Sequence, residues 1–396
     1  MTPEATQKFQ ALEDQAHDLM SYFCGVGFEM VAPSIIQPAD VFLDAVGEDL
    51  RGRTYVFTDP EGSELCLRPD LTIPTCRLHW DRCSREGGTT LAQYCYNGPA
   101  FRFQPSGSRA NTHPREYRQL GIERFGDRDR EKSEIEILSV IVSALERAGL
   151  RDYTIRIGDL GIFHELLSAA DLPSRWRERL RAHFWRPEAF RSELRQMTTK
   201  PDARIEGLPP ELLSLIRGQE PLAAERILSV FLDEQGVDVI GTRSLSEVTE
   251  SLLAALEDAE ADALPEETAA LIENYFQVAA PARAAGARLR DLMQQADIDI
   301  APALDVFNTR LKHLSDTPID PANVTFSAEF GRTLAYYTGF VFEVVSDMLG
   351  PESPVAGGGR YDSLMKMVGA TTEVPAVGAM IHTERLLSAV SEAGNG

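Results

Sequence analysis

Four short segments of the chain combine acidic, basic, amide and phenolic side chains at close spacing. They lie at 67–72, at 101–104 with 115–123, at 332–339 and at 357–362. Carboxylates and amides can hold an ammonium group, and a guanidinium group holds a carboxylate through paired hydrogen bonds. Such a combination suits a zwitterionic amino acid with a polar side chain.

The acidic and amide residues are placed to receive the ammonium end of such a ligand. Alternation along a strand over 118–125 puts Gln119 and Glu123 on one face. Together with Asp70 they would surround an ammonium group. A buried carboxylate needs a polar partner, so an acid that faces a ring N–H favours imidazole over an apolar side chain.

The arginines and tyrosines would complete the site. Arg102 and Arg332 would hold a carboxylate, and Tyr337 or Tyr361 would stack on a ring or hydrogen-bond to it. Simpler explanations remain open for each feature alone: a tight turn at 357–359, core packing of the tyrosine pair, solvated arginines at 102 and 115, and a solvated helix face at 175–195. The order and spacing of the segments are more specific than any one of them.

Composition excludes several classes of protein. The 396 residues carry a formal net charge of −22, and 43% are hydrophobic, which is ordinary for a globular protein and argues against disorder. No apolar run has the length of a membrane span, and the acidic N-terminal segment does not resemble a secretory signal. Because phosphate contacts need clustered Lys and Arg, the acidity argues against a broad nucleic-acid surface. We expect a cytoplasmic protein.

Neither disulfides nor metals are indicated. The five cysteines all lie in the first quarter of the chain without a C-x-x-C pair, which predicts reduced thiols. The seven histidines lack metal-binding spacing, so we expect no metal and no cofactor.

The order of elements predicts an α+β protein. Apolar periodicity predicts helices over 5–26 and 131–148, the second with Ile135, Leu138, Ile141, Val142 and Leu145 on one face. Between these helices, alternation predicts a hairpin over 54–68 and a strand pair over 89–97 and 118–125. From 171 to 300 the pattern is almost entirely helical, and strand signals resume near 324. The simplest organisation is an antiparallel core built from 1–170 and 301–396, with a helical insertion over 171–300.

In chain order the motifs read L-R-P-[DE]-x-T, F-R-x-x, R-x-x-x-Q-L-G-x-E, R-x-x-x-Y-Y-x-x-x-V-F-E and G-G-G-R-Y-D, with a closing E-R-L. This series resembles histidyl-tRNA synthetases over most of 5–170 and 320–390. The resemblance implies a class II aminoacyl-tRNA synthetase-like core: a six-stranded antiparallel sheet flanked by helices, usually dimeric, with the strand over 27–33 as the dimer motif.

The resemblance also implies a histidine-binding set: Asp70, Thr72, Arg102, Gln119, Glu123, Arg332, Tyr336, Tyr337 and Tyr361. The α-amino group would be held by Asp70, Thr72 and Gln119. The imidazole would be addressed by Glu123 and Tyr337. In a true synthetase, the two arginines would face the α-phosphate of ATP.

Departures from the synthetase pattern concentrate on the ATP and tRNA sides. The acid of F-R-x-E is replaced by Gln104, and R-G-L-D-Y-Y carries Thr333 and Ala335 in place of Gly and Asp. Gln104, Arg115 and Arg385 would therefore be vestiges of an ATP site. The sequence ends eleven residues after Arg385 (396 − 385), so we expect no anticodon-binding domain.

This pattern resembles the synthetase-like regulatory subunits of ATP phosphoribosyltransferase, a paralogous family without the anticodon domain. The resemblance implies a non-catalytic protein that binds L-histidine, self-associates as a dimer and forms a hetero-oligomer with a short-form catalytic subunit. That complex joins ATP to phosphoribosyl pyrophosphate in the first step of histidine biosynthesis, and neither tRNA nor a membrane is expected as a partner. Two alternatives remain: a histidine-adenylating or synthetase-like enzyme without the anticodon domain, and an accessory protein with another partner.

Overall fold

A computed structural model describes residues 3–45, 52–86, 91–103, 114–170, 172–184, 186–199, 208–235, 244–260, 262–331 and 336–393. The chain contacts divide it into two compact units. The larger is built from both ends of the chain, Met1–Trp185 and Asn274–Gly396, and the smaller is Arg186–Glu273. The helical insertion was predicted over 171–300, whereas the compact helical unit spans the shorter range Arg186–Glu273.

The larger unit is organised around one mixed sheet. Among the described residues it contains nine strands: β1 (Glu29–Met30), β5 (Ala92–Phe101), β6 (Glu116–Phe125), β7 (Tyr153–Asp159), β8 (Ala279–Pro281), β9 (Val324–Ser327), β10 (Phe340–Ser346), β11 (Ala356–Arg360) and β12 (Ala376–His382). Their spatial order is β1-β5-β6-β12-β11-β10-β7-β9-β8. A small separate sheet has the order β2-β4-β3, from β2 (Ile36–Pro38), β3 (Tyr55–Thr58) and β4 (Glu64–Leu67).

The expectation of a six-stranded antiparallel sheet is wrong for the sheet as a whole. The sheet contains a run of six adjacent strands that pair with one another in antiparallel fashion: β5, β6, β12, β11, β10 and β7. However, β1 pairs with β5 in parallel, β9 pairs with β7 in parallel, and β8 extends that edge. Alternation in the sequence reveals a strand but not its direction, and a parallel pair needs a long crossover. The insertion lies in the crossover between β7 and β9.

The helices follow the same chain order. Those of the larger unit include α1 (Pro3–Gly25), α2 (Ala39–Ala45), α3 (Thr72–Glu86), α4 (Arg130–Arg147), α5 (Leu160–Ala169), α6 (Ser174–His183), α12 (Ala282–Gln295), α13 (Ala301–Ser315), α14 (Leu364–Met367) and α15 (Thr383–Ala393). A short 3₁₀ turn, Pro321–Asn323, precedes β9. The smaller unit contains α7 (Pro187–Thr198), α8 (Pro210–Ile216), α9 (Pro221–Glu234) and α10 (Leu245–Glu260), and α11 (Glu266–Phe276) crosses the boundary.

Apolar periodicity explains where the helices pack. The predicted stripe of α4 is confirmed, because each of its five members is buried: Ile135, Leu138, Ile141, Val142 and Leu145. The predicted first helix is confirmed to within two residues at its start. The smaller unit has a core of its own, formed by Leu212, Leu213, Ile216, Ala224, Leu228, Leu252 and Leu256.

A buried charge network joins α4, α13 and the ends of β7 and β11. The Glu134 carboxylate accepts from Arg310 Nε at 2.6 Å and also from Arg360 Nε. Arg310 Nη1 donates to Asp159 at 2.6 Å, and Arg360 Nη1 donates to Asp362 at 2.8 Å. Burial opposes ionisation of Glu134, but the two guanidinium groups outweigh it and hold the pKa of this carboxyl below its ordinary value.

Replacing Arg310→Met should destabilise the protein strongly. The substitution leaves Glu134 and Asp159 buried with less positive charge beside them, and breaking such a network costs about 3–5 kcal/mol. Urea unfolding measures this free energy. Lys366→Ala is the matched control, because the Lys366–Glu373 pair at 3.4 Å is about half exposed and should be worth at most about 1 kcal/mol. Equal losses in the two variants would contradict a structural role for the network.

Candidate functional site

One cavity of the larger unit opens at the sheet face formed by β6, β11 and β12. It encloses about 320 Å³ including its open mouth. Its lining comprises Asp70, Thr72, Arg102, Gln119, Tyr336, Tyr337, Gly357, Tyr361, Gly378, Ala379 and Met380. Seven of the nine histidine-binding residues expected from the sequence are therefore brought to one cavity, although they come from four separate segments.

Asp70 is the lining residue whose carboxylate is best placed to receive a polar group of a ligand. It precedes α3, where its Oδ1 accepts from the Ile73 N–H at 3.2 Å. Its Oδ2 is buried and has no hydrogen-bond partner among the described residues, and the residue is only 2% exposed. Burial raises the pKa of Asp70, against the opposing effects of the Ile73 N–H and Arg102. A buried acceptor left unpaired is costly, so an ammonium group placed there would be favourable.

Gln119 orients the loop that carries Asp70. Its side-chain Oε1 accepts from the Leu71 N–H at 3.0 Å, and its Nε2 donates to the Tyr117 hydroxyl at 3.5 Å. That hydroxyl in turn donates to the Pro69 carbonyl at 2.8 Å. Gln119 lines the cavity as predicted, but part of its hydrogen-bonding capacity is used to hold Pro69–Leu71 in place.

Glu123 lies beneath the cavity lining rather than on it. Its side chain is fully buried, with Oε1 accepting from the Tyr96 hydroxyl at 3.0 Å and Oε2 accepting from the Tyr361 hydroxyl. A Cβ on Gly378 would fall 1.5 Å from Oε2, so only glycine leaves room for this carboxylate. Burial raises the pKa of Glu123 to about 8, although hydrogen bonds from Tyr361, Thr72 and Tyr96 oppose the shift.

Aromatic rings form one wall of the cavity. Tyr336 and Tyr337 are both buried, with ring centroids 4.8 Å apart, and Tyr336 meets Tyr361 edge-on at 5.8 Å. Core packing and ligand contact were alternatives for the tyrosine pair in the sequence, yet the two are compatible because the rings pack together and also line the cavity. Such a wall suits a flat ring.

The cationic residues divide into two groups. Arg102 lines the cavity, with its guanidinium 5.3 Å from the Tyr117 ring centroid and its Nε 3.4 Å from the Pro69 carbonyl. Arg115 is exposed, and Arg385 donates to the Pro354 carbonyl at 2.9 Å; neither lines the cavity. Arg332 and Gln104 lie outside the described residues.

Tyr96, whose hydroxyl donates to Glu123, is a candidate site residue that the sequence pattern did not reveal. It lies opposite Gly121 on the neighbouring strand, where a Cβ would come within 2.5 Å of the Tyr96 hydroxyl. The available signal was Gly121, which lies between Gln119 and Glu123 on the same strand face. A glycine there leaves space for a large residue on the next strand. Gly357, Gly378, Ala379 and Met380 were missed as lining residues, because small apolar residues carry no chemical signature.

Comparisons with known proteins agree with the motifs. The sequence matches the family described as Histidyl-tRNA synthetase over residues 2–234 and 222–386. It is 32% identical over 365 residues to the ATP phosphoribosyltransferase regulatory subunit of Brucella anthropi, covering 92% of this chain and 94% of the relative. It is 33% identical over 377 residues to that of Agrobacterium fabrum, covering 94% and 95%. The chain belongs to the family of ATP phosphoribosyltransferase regulatory subunits. The resemblance inferred from the motifs is therefore confirmed.

Solved structures show that this regulatory-subunit family shares the synthetase fold. A protein from Bacillus halodurans, described as an ATP phosphoribosyltransferase regulatory subunit/histidyl-tRNA synthetase, aligns with a TM-score of 0.67 at 20% identity, covering 98% of this chain and 80% of that one. A histidine–tRNA ligase subunit from Alicyclobacillus acidocaldarius aligns with a TM-score of 0.59 at 23% identity, covering 100% and 96%. The class II synthetase-like core expected from the sequence is present.

Within the described ranges of this regulatory subunit there is neither a helix that could span a membrane nor a cluster of metal-binding side chains. No helix there combines the length and the hydropathy that crossing a bilayer requires. In the same part of the chain, no three His, Cys, Asp or Glu side chains are grouped so that they could hold a metal ion.

The buried carboxyl of Glu123 should make stability depend on pH. Between its ordinary pKa of 4.5 and about 8, the folded state holds a proton that the unfolded state releases, so stability falls as pH rises through this window. Glu123→Gln has no such proton. Urea unfolding at about pH 5, 7 and 9 should show the variant gaining stability relative to wild type as pH rises, whereas the exposed Glu267→Gln control should not. A difference that is independent of pH would contradict the raised pKa.

Proposed function

We propose that the protein is the non-catalytic regulatory subunit of ATP phosphoribosyltransferase. In this proposal it activates a short-form catalytic subunit in a cytoplasmic hetero-oligomer and takes part in the feedback inhibition of histidine biosynthesis by L-histidine. The single observation that carries the proposal is identity above 30% to curated regulatory subunits over more than 90% of the chain. The net charge of −22 supports a protein without a tRNA partner.

The cavity supports histidine as the ligand. In the proposed binding mode Asp70 Oδ2, which has no hydrogen-bond partner within the described part of the chain, receives the α-ammonium group with the help of Thr72, and Arg102 faces the α-carboxylate. The imidazole lies against Tyr337 and Tyr361, and Arg332 is a proposed second partner for the carboxylate. Glu123 acts from beneath the lining, since its two oxygens accept from the hydroxyls of Tyr96 and Tyr361, and Tyr361 borders the imidazole in this binding mode.

The ATP side of the site supports a loss of catalysis. Arg385 is engaged by the Pro354 carbonyl, and the exposed Arg115 does not reach the cavity lining. Arg102 does line the cavity, and this favours one alternative: a histidine-adenylating enzyme, in which this arginine faces a phosphate. We propose the residues at 104, 115 and 385 as vestiges of an ATP site.

Self-association through the first strand is also part of the proposal. β1 is the edge of the main sheet, pairs only with β5 in the described part of the chain, and carries an exposed Met30. An uncovered edge strand with an apolar side chain is a surface suited to a second copy. The helical insertion over 171–300 remains a proposed separate domain of this subunit.

The protein should activate the catalytic subunit and transmit histidine inhibition. Phosphoribosyl transfer to ATP is measured with the short-form catalytic subunit alone, with this protein added, and with histidine added to each. We expect turnover only in the presence of both proteins. We also expect histidine to suppress it, because histidine would favour a less active state of the complex, and the coupling between two such sites is typically worth about 1–3 kcal/mol. Full activity of the catalytic subunit alone would contradict activation. Histidine-dependent exchange of pyrophosphate into ATP by this protein alone would favour the adenylating enzyme instead.

Histidine should bind the isolated protein through Asp70. Calorimetric titration of L-histidine is expected to show one site per chain. Asp70→Asn keeps an acceptor for the Ile73 N–H but removes the charge facing the ammonium group, and a lost charge-assisted hydrogen bond weakens binding by about tenfold or more. Asp291→Asn, an exposed aspartate on α12, is the matched control and should bind as wild type does. Equal affinity in both variants would exclude the cavity as the histidine site.

A further inference from the structure

Two cysteines lie in contact on the side of β5 that faces α1. The Sγ atoms of Cys24, near the end of α1, and of Cys95, in β5, are 3.9 Å apart. Cys24 is exposed, whereas Cys95 is fully buried. The pair has no part in the proposed histidine site, because successive strand residues point to opposite faces and it is Tyr96 that contacts Glu123.

The backbone around the two cysteines is held on both sides. Helix α1 ends in a tight turn at Gly27, whose φ is +100°, and the Phe28 N–H donates to the Phe23 carbonyl at 3.0 Å. The next strand, β1, pairs with β5 so that Met30 lies opposite Cys95. Two short segments of fixed backbone therefore present the two thiols to each other. A disulfide needs the sulfurs about 2.05 Å apart, a movement on the scale of a side-chain rotation.

We propose that Cys24 and Cys95 form an oxidation site that closes to an intramolecular disulfide in the presence of a peroxide. Cys24 first releases its proton and its thiolate attacks hydrogen peroxide; the O–O bond breaks, Cys24 becomes a sulfenic acid, and the departing hydroxide takes up the released proton and leaves as water. The Cys95 sulfur then attacks the Cys24 sulfur while its thiol proton passes to the sulfenic hydroxyl; the S–O bond breaks, an S–S bond forms and a second water leaves. The sum is two thiols and one peroxide giving one disulfide and two waters.

The environments of the two thiols divide these roles between them. Only Cys24 is accessible to an oxidant from solvent. Burial raises the pKa of Cys95 to about 12, and the neighbouring Cys24 adds to the effect, so Cys95 stays a thiol at neutral pH and does not react first. Once Cys24 is oxidised, contact with Cys95 makes the second step intramolecular and therefore fast.

The disulfide would fasten the end of α1 to the main sheet. It closes a loop that contains all three strands of the small sheet, the Asp70 loop and α3, and such a long loop loses much conformational freedom in the unfolded state. The oxidised protein is therefore expected to be the more stable form. Because the bond lies on the face of β5 away from the cavity, it fastens the sheet without touching the residues that line the cavity.

The test treats the full-length, reduced protein with hydrogen peroxide and then counts thiols under denaturing conditions. We expect two of the five thiols to be lost, mass spectrometry to identify cross-linked peptides containing Cys24 and Cys95, and the unfolding temperature to rise by several degrees or more. Dithiothreitol should reverse all three changes. Retention of five thiols, a disulfide between two chains, or over-oxidation of Cys24 beside a free Cys95 would overturn the proposal.

Substitutions make the assignment specific. Cys24→Ser changes an exposed side chain, so it should fold normally and abolish both the cross-link and the stabilisation. Cys95→Ser should have the same two effects. Because Cys95 is buried, this variant could fail to fold, and in that case Cys24→Ser alone decides the test. Cys66→Ser is the matched control, because the Cys66 thiol lies 3.9 Å from the Pro38 carbonyl and a serine hydroxyl can take its place as a donor. Loss of the cross-link in Cys66→Ser would contradict the assigned pair.

Discussion

The larger unit depends on one interaction, the buried ion pairs that the Glu134 carboxylate forms with Arg310 and Arg360. A buried ion must be paired, because the cost of removing it from water is recovered only by well-placed opposite charge and hydrogen bonds. Glu134 lies on α4, which precedes the insertion in the chain. Its partner Arg310 lies on α13, after the insertion, and its partner Arg360 lies on β11, near the C-terminus. The network is complete only when segments from both ends of the chain have come together in the larger unit.

The same network determines the geometry of the cavity. Arg360 turns toward Glu134, so the next residue, Tyr361, turns the other way and reaches Glu123. Close packing of the strands around it requires the neighbouring glycines: a Cβ on Gly358 would come within 2.2 Å of the Gly378 carbonyl, and one on Gly359 within 2.5 Å of the Phe340 carbonyl. The tight turn considered for 357–359 is therefore wrong. These residues form β11, where glycine serves close strand approach, and Gly357 lines the cavity.

Local signals in the sequence predicted the local structure well. The stripe of α4, the first helix and the hairpin of β3 and β4 follow from periodicity within a few residues. The cavity was also predictable, because its polar residues carry distinct chemistry in a fixed order. What could not be predicted depends on pairs far apart in the chain: Arg360 and Glu134 are 226 residues apart, and the direction of β1 and β9 depends on crossovers. Tyr96 was missed because a tyrosine in a strand is ordinary until its hydroxyl partner is known.

A ligand sensor and a catalyst make different demands on one cavity. A catalyst must stabilise charge that develops on phosphate in the transition state, and this requires cations aimed at that position. A sensor needs only a difference in ligand affinity between two states of its complex. In this chain Asp70, whose Oδ2 has no hydrogen-bond partner among the described residues, and the aromatic wall line the cavity proposed to bind histidine, while Arg385 donates to a backbone carbonyl. Since each role depends on different residues, the phosphate side can change without loss of the amino-acid side, and this separation is what allows a synthetase core to serve as a regulatory subunit.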